Sequence, residues 1–158
     1  MKTISAYSFS ELSDAAKERA LQDYRSHGFE YTGQDENMDS LKAFCDLFGV
    51  KVTDGSLGPW GNSYIKTDVE NSHFRGINKA KVKAIPEFLT GYWLDYDFIE
   101  AFKQQFERTH DALYAFNDAI DAGLRAWIAD MEYQDSDEYI IECIEANEYQ
   151  FLENGRMI

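Results

Sequence analysis

At 158 residues, 44% hydrophobic and 15% aromatic, the chain can bury a sizeable core without disulfides or metal, which excludes intrinsic disorder. Its 29 acidic residues against 15 Lys and Arg give a formal charge of −14, a field that repels nucleic acid and anionic membrane and speeds encounter with a basic protein surface. No apolar run has the length of a signal peptide or a membrane span, so a cytoplasmic protein is expected.

Residues 3–7 alternate weakly and read as a short strand. Ser13 offers an N-cap oxygen, and Ala16, Ala20, Leu21 and Tyr24 follow at helical spacing, which predicts a helix over 14–26. Met38, Leu41, Cys45 and Phe48 mark a second helix, with Gly49 where a left-handed C-terminal residue is wanted. Val50 and Val52 then begin a strand, Asp54-Gly55 signals a turn, and residues 63–69 alternate through Ile65, Thr67 and Val69. Lys79, Lys81 and Lys83 form the one basic cluster, expected on a solvated edge.

After Pro86 the pattern is helical. Leu89, Tyr92, Trp93, Leu94 and Tyr96 read as an entry into the core. Ile99, Phe102, Phe106, Leu113, Phe116, Ile120 and Trp127 keep a three-four spacing, with Thr109 and Gly123 as its weak positions. One long helix fits this stripe, and so does a break near Thr109, His110 and Asp111 with Thr109 as the second cap. Core packing is the expected use of the stripe; self-association into a homodimer is the alternative. Asp135-Ser136 opens another helix, in which Tyr139, Ile140, Cys143 and Ile144 share one face. Glu138, Glu142 and Glu145 fall within about 60° of one another on the opposite face. Tyr149 and Phe151 alternate, Asn154-Gly155 is the favoured type I′ hairpin pair, and residues 156–158 return as a strand. The expected architecture is α+β: a small antiparallel sheet packed with four to five helices and closed by a C-terminal hairpin, in a single compact acidic domain over 1–158.

Little in the sequence carries catalytic spacing. Cys45 and Cys143 sit at apolar helix positions and read as buried small hydrophobes in a reducing compartment. His27, His73 and His110 are isolated and lack metal-ligand spacing, so neither metal nor cofactor is expected. His110 with Asp111, and His73 with Asp68 or Glu70, are the only combinations open to acid–base work, and no enzyme is expected. Residues 55–61 lack the Lys-Ser/Thr ending of a phosphate loop and read instead as a tight loop presenting Trp60, a candidate contact residue.

The acidic run has a physical mechanism for function. Residues 126–155 hold nine acids and neither Lys nor Arg. Glu138, Glu142, Glu145 and Glu148 would lie along roughly 15 Å of helix axis. One strand of B-DNA presents a phosphate every ~3.4 Å, a density of similar order, so a protein built to hold phosphates would meet a competitor here. The expected partner-binding residues are Glu138, Glu142, Glu145, Glu148, Tyr149 and Trp60. A solvated helix face is the competing account.

Two segments carry a resemblance. The stretch YSFSELSDAAKERALQDYR, residues 7–25, resembles the opening of a widespread family of phage and prophage proteins, and YQDSDEYIIECIEANEYQFLENGR, residues 133–156, resembles its close. Some members of that family carry the label "antitoxin of toxin–antitoxin stability system". Many have a central Ser-Gly-Phe-Trp-Ser-Gln-Gly-Asp-Gly type stretch, from which residues 55–61 depart. The resemblance implies a phage or prophage genome and a bacterial host cell. The function expected from charge and setting is an inhibitor that occupies a basic, nucleic-acid-binding surface of a host defence protein, without touching nucleic acid or membrane itself. The alternative is an antitoxin that neutralises a toxin by protein–protein binding. Many antitoxins add a basic arm or disordered tail, and neither is visible. A metabolic phage enzyme with an unrecognised site is the third option.

Overall fold

In the computed structural model, which describes residues 4–27, 30–58 and 63–158, Ser13 accepts the Ala16 N–H at 3.3 Å and starts α1 (Asp14–Ser26). Five more helices follow among the described residues: α2 (Gln34–Asp46), α3 (Lys79–Lys83), α4 (Leu94–Thr109), α5 (Ala112–Gln134) and α6 (Asp137–Ala146). A two-stranded antiparallel sheet, β1 (Val52–Ser56) with β2 (Tyr64–Thr67), makes the fold α+β, as expected. The chain divides into two compact units: one holds its first 31 residues with residues 131–158, the other residues 32–130.

The core of the 32–130 unit is aromatic. Phe44 of α2 is fully buried, stacked on Phe98 of α4 at 5.3 Å and on Phe116 of α5 at 5.4 Å between ring centroids. Gly123, the weak position of the helical stripe, has a packing reason: a Cβ there would drive into the Phe98 ring. The stripe is two helices rather than one. His110 turns left-handed at φ 54° and ends α4. Asp111, not Thr109, then caps α5 by accepting the Tyr114 N–H at 3.0 Å; the Thr109 hydroxyl donates back to the Gln105 carbonyl and accepts the Asp111 N–H at 3.2 Å, which holds the break between the helices. Ile99, Phe102, Phe106, Phe116, Ile120 and Trp127 are all buried.

Two other expectations need correction in this unit. Asp54 and Gly55 lie inside β1, where Asp54 accepts the Gly55 N–H at 2.9 Å and the Tyr64 hydroxyl at 3.2 Å across the sheet. Residues 59–62 lie outside the described residues, and with them the candidate contact residue Trp60. Of the run at 89–96, Leu94 is fully buried, whereas Trp93 and Tyr96 are exposed.

The other unit packs Phe9, Leu12, Ala16, Ala20 and Leu21 against Ile140, Ile144 and Phe151. The expected first strand reduces to Tyr7 alone, which exchanges backbone hydrogen bonds with Phe151 at 2.8 and 2.9 Å; residue 3 lies outside the described residues. The return of residues 156–158 is likewise a single bridge, Phe151 to Met157. The turn is not type I′, which needs positive φ at both central residues: Gly155 has φ 85° but Asn154 does not. Instead the Gly155 N–H donates to the Leu152 carbonyl and the Leu152 N–H to the Arg156 carbonyl, giving a three-residue loop with its left-handed glycine last.

Candidate protein interface

Ser136 accepts the Tyr139 N–H at 3.3 Å and starts α6, so Ile140 and Ile144 turn inward and are buried. The same register leaves Glu138, Glu142 and Glu145 exposed along about 10 Å of axis. Tyr133 hydrogen-bonds Glu142 at 3.4 Å and sets its ring edge-on to Tyr139 at 5.4 Å. Desolvation, then Glu142 and Glu138, hold the Tyr133 hydroxyl above its ordinary pKa.

Glu148 is not on the helix. Asn147 is the C-cap, and Glu148 follows in the left-handed region at φ 54°. The Tyr149 N–H donates to the Ile144 carbonyl and the Glu148 N–H to the Glu145 carbonyl, both at 3.1 Å. That pair of bonds is a Schellman closure, whose left-handed position is ordinarily glycine. Here it carries a carboxylate. The closure brings Glu145, Glu148 and Tyr149 round one recess of about 400 Å³, with Ser8, Ser10 and Gln150 on its other sides. Three of the six expected contact residues thus meet, and two more share the adjoining helix face.

Ser8 and Ser10 escaped the sequence reading. The signal for their segment was the Ser-x-x-Glu pattern of residues 8–11: the Ser8 N–H donates to Glu11 at 2.7 Å and its hydroxyl at 2.9 Å. Those bonds hold the Glu11 pKa below its ordinary value.

Nor is the acidic run wholly uncompensated. Arg25 of α1 pairs with Asp137, reaches the Asp135 carboxylate at 3.6 Å and donates to the Asp135 carbonyl at 2.8 Å. It closes the corner between α5 and α6 and leaves the glutamates of α6 to solvent. A carboxylate-lined recess with an exposed phenol ring suits a Lys or Arg side chain, by ion pairing and by cation–π contact.

Among the described residues no histidine ring forms an ion pair with a carboxylate, and two of the rings bond backbone groups at helix ends. His73 Nδ1 accepts the Glu70 N–H at 2.9 Å, His27 Nδ1 bonds the Asp23 carbonyl at 2.8 Å, and His110 ends α4. Burial, followed by Asp46 and Asp68, pushes the Cys45 thiol up to about 12, which keeps it an unreactive core group. No helix among the described residues is long and apolar enough to cross a membrane. No family model, curated protein or solved structure matches the chain.

Proposed function

We propose that the chain is a phage-encoded acidic inhibitor that binds the basic, nucleic-acid-binding surface of a host defence protein, as an anti-CRISPR or anti-restriction factor. The observation that carries this reading is the exposed acidic surface of Glu138, Glu142 and Glu145 along α6, continued by Glu148 and Tyr149 past its C-terminus. A partner lysine or arginine would enter the recess beside Glu145 and Glu148, while the helix face steers its approach.

Capture from host lysate followed by mass spectrometry identifies the partner. A nuclease or CRISPR effector fits the proposal, and a toxin would replace it with the antitoxin reading. With the partner in hand, reversing Glu138, Glu142 and Glu145 to Lys is expected to slow association by about 10-fold or more while leaving the fold intact. The wild-type on-rate should fall steeply between low and physiological salt. Binding that survives the triple reversal unchanged would reduce the acidic helix to a solvated face.

Glu148 allows a sharper check. Glycine relieves the left-handed backbone, so Glu148→Gly is expected to be as stable as the parent or about 0.5–1 kcal/mol more stable. Its partner affinity should nonetheless drop. Urea unfolding and binding kinetics on the one variant read both quantities; undiminished affinity would remove Glu148 from the interface.

A further inference from the structure

The 1–31 and 131–158 unit has a second recess, of about 690 Å³, in which an acidic chain gathers two arginines. Arg19, His27 and Arg156 line it together with Tyr24, Tyr149 and Asp23. Neither Arg19 nor Arg156 makes an ion pair with any described residue, although acids outnumber basic residues 29 to 15 in the chain. Arg19 makes no ion pair even with Asp23, one turn further along α1. His27 commits Nδ1 to the Asp23 carbonyl and leaves Nε2 without a described partner. Two free guanidiniums in one cavity recognise a compact anion, most strongly a phosphate. The volume is that of a small-molecule pocket, and the tyrosines give it aromatic walls. Burial, then Cys143 and Tyr149, hold the Tyr24 hydroxyl above its ordinary pKa.

We infer that this recess binds a small aromatic phosphate of the mononucleotide class. Arg19 and Arg156 take the phosphate, Tyr24 and Tyr149 the base, and Asp23 accepts from a sugar hydroxyl. A polynucleotide is disfavoured by the −14 charge that surrounds the site, whereas one phosphate can be satisfied locally. The inference does not rest on the glutamates of the α6 surface, none of which lines this recess; Tyr149 borders both.

Calorimetric titration of the full chain with AMP, adenosine and inorganic phosphate tests it. AMP should bind at millimolar affinity or better, with adenosine and phosphate each about 10-fold weaker or undetectable. Arg19→Ala and Arg156→Ala, both at exposed positions, should each weaken AMP by about 10-fold with an unchanged melting temperature. No heat with millimolar AMP overturns the proposal, as does AMP binding indifferent to both arginines. Phosphate or adenosine binding as tightly as AMP also overturns it, because only one half of the site would then be at work.

Discussion

Replacing Asp95 with Ala should cost the 32–130 unit about 3–5 kcal/mol, the largest loss expected from any single carboxylate here. Asp95 is fully buried in the first turn of α4. Its Oδ2 accepts the Leu89, Thr90 and Gly91 N–H groups at 2.8, 2.7 and 2.9 Å, and its Oδ1 accepts the Thr90 hydroxyl at 2.9 Å. Alanine would strand three backbone donors that have no other partner in the turn. Burial alone would raise the Asp95 pKa, but hydrogen bonds from Ser40, Leu89 and Thr90 outweigh it and hold the pKa below the ordinary value. A group with a depressed native pKa stabilises the fold above its unfolded value, and that contribution is lost as pH falls through the native one. Parent stability should therefore decline in acid below about pH 4. Asp95→Asn should be less stable at neutral pH and flatter across that window. Urea unfolding at pH 7 and in steps down to pH 3 checks both signs; equal acid sensitivity in parent and Asn variant would assign the decline to other carboxylates.

Asp95 also marks where the sequence stops being readable. Asp95 and Asp97 stand two apart in the same acidic–aromatic run, and nothing local distinguishes the one that gathers three amides. What was legible is short-range chemistry. Ser13 and Ser136 cap α1 and α6 because a hydroxyl within three residues of an orphan amide needs no tertiary partner. The spacing of Ile140 and Ile144 placed the glutamates of α6 on the exposed face for the same reason. Turn pairs were legible only in part. Asp54-Gly55 has turn chemistry, yet pairing with Ile65 and Lys66 draws it into a strand. Asn154-Gly155 does turn the chain, docked against α1, but as a three-residue loop rather than a type I′ turn. Contacts spanning more than a hundred residues were closed to local reading. Arg25 meets Asp135 and Asp137 across a sequence separation of 112 for the latter, and Ser8 joins the α6 recess through the Tyr7–Phe151 bridge.

That docking makes Gly155 the other position where one methyl group should be costly. Gly155 is buried at φ 85°, and a Cβ built on it would collide with the Ala16 carbonyl of α1. Two penalties combine. An alanine in the left-handed region costs about 1 kcal/mol, and the obstacle is helix backbone, which cannot rotate aside as a side chain would. Gly155→Ala is therefore expected to lose about 2–4 kcal/mol. The loss should spread beyond the turn, because Leu152 and Arg156 close the loop that carries Phe151. Phe151 is fully buried, edge-on to Phe9 at 6.1 Å, and it joins Tyr7 to Met157. Hydrogen exchange of the Tyr7 and Phe151 amides should speed up in Gly155→Ala along with the fall in unfolding free energy. Glu153→Ala, one step before the turn's centre and exposed, should stay within about 0.5 kcal/mol of the parent. If Gly155→Ala matched that control in both measurements, the C-terminal turn would not be seated on α1, and the recess lined by Arg19 and Arg156 would lose its C-terminal wall.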